Sequence, residues 1–146
     1  MNRTGLVKCI QVFLLGAVLS LAWGAVTGLL HLDRVFPNQG QEAMFAVRLP
    51  AQIALYGIGS PILEEVLFRG LLFGLLRRVL PDRISVLITS ALFALWHGNI
   101  LQMLYAFPMG LLFQYLLRRD GSLASPVICH CGANLTAIVV RAVITS

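Results

Sequence analysis

Length, composition and charge place this chain among membrane proteins. It has 146 residues, of which 58% are hydrophobic and 12% charged, and its mean hydropathy is +0.85. A soluble domain carries about 25% charged residues, so this composition excludes a disordered chain, a disulfide scaffold and an ordinary soluble enzyme. The formal net charge of +5 comes from short cationic clusters between apolar runs, a distribution typical of membrane orientation and not of nucleic-acid binding.

The first predicted element is a membrane span from Cys9 to Leu30. This stretch has no charged residue and would be roughly 33 Å long as a helix, which is enough to cross a bilayer. Arg3 and Lys8 precede this stretch, as basic residues precede the apolar region of a signal peptide. However, the stretch is too long for the apolar region of a signal peptide, and no small-residue cleavage site follows it. We therefore predict a retained span, followed by a polar, turn-rich loop over residues 31–41.

The middle of the chain contains two further apolar stretches. One runs from residue 43 to about residue 76 and exceeds one straight span, so we predict a helix that is kinked or split at Pro61. The other covers residues 84–117 without a formal charge, and a turn signal at residues 97–99 divides it into two helices. A last span is predicted over residues 122–140.

Arginine-rich segments between the apolar stretches set the predicted topology. Five spans would place the cationic segments at residues 3–8, 77–83 and 118–119 on one side of the membrane. By the positive-inside rule this side is cytoplasmic, and so is the N-terminus. The predicted fold is all-α, a helical bundle of about five spans that forms one polytopic transmembrane domain over residues 1–146. The predicted location is the plasma (inner) membrane of a bacterium.

Ionisable side chains inside the predicted spans are candidates for function, because burying them in lipid is costly. Glu65 and Arg69 are four residues apart and share a helix face, so they can form an internal ion pair. We expect this pair to be mainly structural. Glu64 is rotated by about 100° from Glu65 on a helix, so it remains available for chemistry.

Two other pairs have the same spacing of four residues, Phe93 with His97 and His130 with Asn134. Counted from the basic end of each span at about 1.5 Å per residue, Glu64, His97 and Asn134 all lie about 20 Å deep. His130 lies roughly 6 Å shallower. The sequence therefore predicts one layer of polar groups contributed by three separate spans.

A carboxylate, two imidazoles and a carboxamide in one layer can support the hydrolysis of an amide bond. A buried glutamate assisted by a histidine can act as general base on a water molecule. A second histidine and an asparagine can donate hydrogen bonds to the oxyanion that develops on the scissile carbonyl. Alternatively, a glutamate and two histidines form a known catalytic zinc set.

Three short motifs in this layer resemble those of a protease family. Residues 64–69 (EEVLFR) match an EExxxR motif, residues 93–97 (FALWH) an FxxxH motif and residues 130–134 (HCGAN) an HxxxN motif. In this order and spacing they resemble the CAAX-protease and bacteriocin-processing (CPBP) intramembrane proteases. The resemblance covers about residues 58–138.

The resemblance implies a role for each motif residue. Glu64 would activate the water with His97 as its partner, and His130 and Asn134 would form the oxyanion hole. The supporting residues would be Glu65, Arg69 and Phe93. A metal-free, glutamic-type mechanism without a cofactor is favoured, since an asparagine suits an oxyanion hole better than a zinc site. In a metal-dependent version, Glu64, His97 and His130 would hold Zn.

The short chain favours one substrate class within this resemblance. It is similar to small bacterial sorting-signal peptidases of the myxosortase type, which remove the C-terminal membrane anchor of secreted proteins. The predicted partners are therefore a membrane-anchored protein or peptide substrate and the lipid bilayer, without nucleic acid. The alternatives are a CAAX prenyl-protein endopeptidase, a non-catalytic membrane scaffold or immunity protein, and a small transporter, although no paired repeat is visible.

Overall fold

The structure is a computed structural model that describes residues 3–36 and 39–145. These residues form helices and no strand, so the predicted all-α class is confirmed. The helices, in chain order, are α1 (Arg3–Leu29), α2 (Leu32–Val35), α3 (Gln39–Phe45), α4 (49–76), α5 (Asp82–Trp96), α6 (Ile100–Asp120) and α7 (Ala124–Thr145).

The helices belong to two compact units. One unit consists of residues 1–62 together with residues 127–146, and the other consists of residues 63–126. The first unit thus contains α1 to α3, the first half of α4 and most of α7, whereas the second contains the rest of α4 with α5 and α6. One transmembrane domain over residues 1–146 stays a prediction.

Three helices are individually long and apolar enough to cross a membrane: Gly5–Leu29, Ile100–Asp120 and Ala124–Ile144. Large apolar side chains are exposed along them, as expected of a surface that contacts lipid; Val18 is 60% and Leu104 56% exposed. Helix α5 has 15 residues, about 22 Å, which is shorter than the roughly 30 Å hydrocarbon core. The membrane character is confirmed, and the count of five spans stays a prediction.

Helix α4 is not split at Pro61. Its backbone is helical throughout residues 49–76, but two segments, Ile53–Gly59 and Val66–Leu72, are π-helical. Pro61 lies in the α-helical segment Ser60–Glu65 between them and is fully buried. Since π-helical turns are rare and concentrate at functional sites, they mark the two ends of the segment that carries the paired glutamates.

The predicted turn between α5 and α6 is confirmed. Gly98 has a φ of +66°, a left-handed conformation that glycine adopts without steric cost. The Asn99 side-chain oxygen then caps α6 by accepting hydrogen bonds from the backbone N–H groups of Leu101 (2.9 Å) and Gln102 (3.3 Å). This turn places His97 directly after the last residue of α5.

The predicted polar loop over residues 31–41 is partly helical. Helix α2 lies within it and α3 begins in it, whereas residues 37 and 38 lie outside the described part of the chain. A turn-rich composition identified the connection but did not reveal the short helices, because helices of 4 and 7 residues are too short to show a helical period in the sequence.

Helices α1 and α7 pack backbone against backbone through two glycines. A Cβ atom added at Gly16 would lie 1.9 Å from the carbonyl oxygen of Cys129, and one at Gly132 would lie 2.2 Å from that of Phe13. Each glycine therefore leaves room for the opposite helix, which is how small residues hold membrane helices together. The contact fixes the position of α7, the helix that carries His130 and Asn134.

Replacing Gly16 with Ala is expected to lower the thermal stability of the protein in detergent, by about 1–3 kcal/mol of overpacking. Gly24→Ala on the same helix is the matched control, because a Cβ there would meet nothing within 4 Å. That control should leave the melting temperature unchanged or raise it slightly, since alanine favours helix. Equal melting temperatures for the two variants would show that the glycine contact does not hold α1 and α7 together.

Candidate active site

The predicted ion pair between Glu65 and Arg69 is present and fully buried. The Arg69 Nη1 atom donates to Glu65 Oε1 at 3.0 Å, and the side chains are only 1% (Arg69) and 0% (Glu65) exposed. A charge taken out of water is tolerated only when it is paired and hydrogen-bonded. The ion pair therefore neutralises Glu65, one of the two adjacent carboxylates, as the spacing predicts.

Helix α6 holds the guanidinium of Arg69 in place. Arg69 Nη2 donates to the backbone carbonyl of Gly110 at 3.2 Å, and the guanidinium carbon lies 4.2 Å from the ring centroid of Phe93 and 5.2 Å from that of Phe113. Aromatic faces attract a cation, more strongly when it is desolvated. Arg69 is thus fixed by a carboxylate, a carbonyl and two rings.

The sequence did not predict that Gly110 and Phe113 contact Arg69. A Cβ atom on Gly110 would come within 3.1 Å of Arg69 Nη2 and of Ser90, so glycine leaves the space that the guanidinium needs. A glycine inside an apolar helix is the signal that could have indicated this close approach. Phe113 looks like an ordinary apolar residue in the sequence, and nothing in its spacing indicates a contact with Arg69.

Phe93 connects the buried ion pair to His97. Its ring meets the His97 ring edge to face, with centroids 5.0 Å apart, while its backbone carbonyl lies 2.9 Å from His97 Nδ1. Because a carbonyl can only accept, Nδ1 carries a proton in this contact, and in the neutral form of the ring the lone pair is on Nε2. His97 is half-buried, so this nitrogen is suited to accept a proton from water.

Glu64 differs from Glu65 in its surroundings. Glu64 is half-buried, whereas Glu65 is fully buried and ion-paired with Arg69. The rotation of about 100° per residue separates the two carboxylates in this way. Of the two side chains, Glu64 is the more exposed, although its Oε2 atom is buried, so it is the better candidate for a base that acts on water.

In the other unit, the carboxamide of Asn134 is held by a backbone carbonyl of α4. Asn134 Nδ2 donates to the Tyr56 carbonyl oxygen at 2.9 Å, and since that oxygen only accepts, the contact fixes which end of the amide is the NH₂ group. One N–H is used in this way, and an NH₂ group has a second. His130, one turn earlier on α7, is 5% exposed.

Pro61 explains why the Tyr56 carbonyl needs a partner outside its helix. In a π-helical turn a carbonyl accepts from the N–H five residues later, and the Leu55 carbonyl accepts from Ser60 in this way. The corresponding donor for Tyr56 would be residue 61, and proline has no N–H. Asn134 supplies the missing donor, so Pro61 sets the orientation of this carboxamide.

The predicted site residues are thus divided between the two units. Within residues 63–126, the structure brings Glu65, Arg69, Phe93 and His97 into one chain of contacts, with Glu64 adjacent in sequence. His130 and Asn134 belong to the other unit. The common layer of all four catalytic candidates stays a prediction.

The chemistry of the donors suits a metal as well as a metal-free site. A histidine that ligates zinc commonly donates its other ring N–H to a carbonyl, which is what His97 Nδ1 does. Within either unit, however, the described residues include no group of three or more His, Cys, Asp and Glu side chains that could hold a metal ion. The zinc set of Glu64, His97 and His130 draws on both units and stays a prediction.

Comparison with known proteins identifies relatives of the chain. A family model described as "Type II CAAX prenyl endopeptidase Rce1-like" matches residues 46–136. The chain is similar to the Staphylococcus aureus (strain USA300) protein "Membrane-embedded CAAX protease MroQ", with 31% identity over 108 residues, 70% of this chain and 44% of that protein. It is also similar to the Bacillus subtilis (strain 168) protein "Putative membrane peptidase YdiL", with 29% identity over 93 residues, 64% of this chain and 38% of that protein.

Both alignments cover only part of the relatives. The chain spans less than half the length of the two curated relatives. No solved structure matches the chain. The matched range of the family model contains all three motifs, from Glu64 to Asn134.

Proposed function

Because the chain belongs to the type II CAAX prenyl endopeptidase Rce1-like family, we propose that it is an intramembrane endopeptidase that hydrolyses a peptide bond of a membrane-anchored substrate. The observation that carries this proposal is that two adjacent carboxylates differ in burial and in ion pairing. Glu65 is neutralised by Arg69 in a buried pair, while Glu64 is half-buried. A second carboxylate within an apolar span is a functional candidate, because its burial in lipid is costly.

The proposed reaction is a direct attack of water on the scissile carbonyl. Glu64 takes a proton from the water molecule while the water oxygen bonds to the carbonyl carbon. The Nε2 atom of His97 shares that proton with Glu64. His130 and the second N–H of Asn134 donate to the oxyanion of the tetrahedral intermediate. The C–N bond then breaks, the proton passes to the leaving amine, and a carboxylate and an amine are released.

An apolar replacement of the proposed oxyanion donor should lower the turnover number. Asn134→Leu keeps the approximate shape and removes both N–H donors, so kcat is expected to fall by about 10²–10³-fold with a small change in KM. The measurement is the cleavage rate of a membrane-anchored peptide by detergent-purified protein, expressed per folded molecule.

Gln52→Met is the matched control for this variant. Gln52 is buried in the same unit and its Nε2 atom also donates to backbone carbonyls, those of Phe45 and Val47. Its loss should lower stability but leave kcat per folded molecule unchanged. An unchanged kcat in Asn134→Leu, or an equal fall in Gln52→Met, would contradict the oxyanion role.

We infer that the substrate is a protein whose C-terminal sorting or anchor segment is removed. The arginines at one end of α4, α5 and α6 support a cytoplasmic position for that end, with the N-terminus on the same side of a bacterial plasma membrane. The turn after His97 lies at the opposite end of α5, where irregular backbone can line a water-filled cavity. This arrangement favours a cut near the non-cytoplasmic face.

Cleavage of a prenylated C-terminal tail is the second candidate, which the family description favours.

A metal-free mechanism should withstand removal of metal ions. We expect dialysis against 1,10-phenanthroline and EDTA to leave the cleavage rate within about twofold of its starting value, since Glu64 needs no ion to accept a proton. In the metal-dependent alternative, Glu64, His97 and His130 would hold Zn, which would lower the pKa of bound water. Loss of activity on chelation, with recovery on adding Zn²⁺ alone, would establish that alternative.

A further inference from the structure

A cavity of about 530 Å³ lies in the unit formed by residues 63–126. It opens among the end of α4, the start of α5 and the end of α6, and its walls include Arg77, Asp82 and Arg118. Its volume falls in the range of about 300–1,000 Å³ that small-molecule sites occupy. None of the proposed catalytic residues lines it.

The charges in this cavity do not balance. Arg118 forms an ion pair with Asp82, and Arg69, at the inner wall, is neutralised by Glu65. Arg77 has its guanidinium 5.8 Å from the Phe73 ring, and among the described residues no carboxylate forms an ion pair with it. The cavity thus carries one uncompensated positive charge, which attracts an anion.

The inner surface of the cavity is largely apolar. Phe73 and Leu117 line it, together with Gly70 and Gly74, which lie one turn apart on α4. A Cβ atom added at Gly74 would meet nothing within 4 Å, so the glycine leaves open space. The cavity therefore joins a cationic rim to an apolar interior, and its occupant should have an anionic and an apolar part.

We propose that this cavity binds the phosphate-bearing headgroup of an anionic phospholipid. Basic pockets between membrane helices recognise such headgroups, and arginine binds phosphate oxygens in pairs of parallel hydrogen bonds. The cavity lies at the arginine-rich ends of the helices, which is the depth of lipid headgroups. A soluble phosphate would satisfy Arg77 and leave the accessible apolar surface of the half-buried Leu117 in water, so the lipid is the better match.

Binding of a headgroup would not depend on catalysis, so this site stands apart from the proposed protease function. Arg69 nevertheless belongs to both, because it lines the cavity and holds Glu65. A bound phosphate lies on the side of Arg69 that faces the basic end, whereas Glu65 lies one turn along α4 in the other direction. The lipid site therefore adjoins the buried pair without replacing it.

Native mass spectrometry of the full chain tests the lipid site. The protein is purified in a neutral detergent and offered equal amounts of phosphatidylglycerol and phosphatidylcholine with the same acyl chains. Wild-type protein should retain phosphatidylglycerol preferentially. Arg77→Gln should reduce that preference by about fivefold, which corresponds to the affinity that one arginine contributes to binding an anionic membrane. Gly74→Leu, which fills the cavity and changes no charge, should reduce it as well.

Arg78→Gln is the matched control, because Arg78 carries the same charge and is exposed like Arg77 but does not line the cavity. It should retain most of the preference. Equal losses in Arg77→Gln and Arg78→Gln, or full retention in Gly74→Leu, would overturn the proposal in favour of diffuse surface attraction. If inorganic phosphate displaced phosphatidylglycerol and stabilised the protein equally, the cavity would be a site for a soluble anion. Displacement by a peptide with a free C-terminal carboxylate would assign it to substrate.

Discussion

Glu64→Gln is expected to lower the rate of peptide hydrolysis by about 10²–10⁴-fold, the usual contribution of a general base, while the protein stays folded in detergent. Glutamine keeps the shape of the side chain and its hydrogen-bonding capacity but cannot take a proton from water. Glu64 is half-buried, and Arg69 keeps its ion pair with Glu65 in this variant, so the protein should stay folded. The measurement is the kcat for cleavage of a membrane-anchored peptide.

The control for this variant is Glu42→Gln, which makes the same chemical change at an exposed position in α3. It should keep the wild-type kcat. Full activity in Glu64→Gln would eliminate Glu64 as the base. A fall in kcat accompanied by loss of the folded protein would show that the carboxylate acts in folding and would contradict a purely catalytic role.

Glu65→Gln is expected to destabilise the protein by about 3–5 kcal/mol, the cost of leaving one member of a buried ion pair without the other. Arg69 would then lose the carboxylate of its ion pair and keep the Gly110 carbonyl and two aromatic rings as contacts. We expect a lower yield and a lower midpoint of thermal unfolding in detergent. Activity should fall as well, because Arg69 also holds Phe93, whose carbonyl orients His97.

Removing both charges separates loss of the pair from loss of one partner. The double variant Glu65→Gln/Arg69→Met contains no stranded charge, so it should recover much of the stability lost in Glu65→Gln. Its activity should stay low, since Phe93 would lose the cation that it packs against. A double variant no more stable than the single one would show that the pair is not the source of the destabilisation.

The parts of the site that could be predicted from the sequence depend on local helix geometry. The spacing of Glu65 and Arg69 requires one helix face, and the buried pair follows from it. The turn at Gly98 could be predicted because glycine is the residue that a left-handed turn requires. Both features are determined within a few residues of the chain, so neither required knowledge of the tertiary structure.

The contacts that could not be predicted join residues far apart in the chain. Gly110 and Phe113 reach Arg69 across the interface of two helices, and helical periodicity does not specify which residues meet there. The π-helical segments of α4 were also missed, because residue propensities do not distinguish π from α turns. Pro61 is a signal that the sequence does contain: a proline removes a backbone donor, and the freed Tyr56 carbonyl is the partner of Asn134.

The most direct test of endopeptidase activity is processing in cells. Proteins that carry a C-terminal membrane anchor are followed by mass spectrometry of their mature C-termini, in cells that express wild-type protein or Glu64→Ala at equal levels. We predict that the anchor-trimmed forms disappear in Glu64→Ala and return when the wild-type protein is restored. Unchanged trimming in cells that contain well-expressed, folded Glu64→Ala would contradict a protease that depends on Glu64 and would favour a non-catalytic membrane protein.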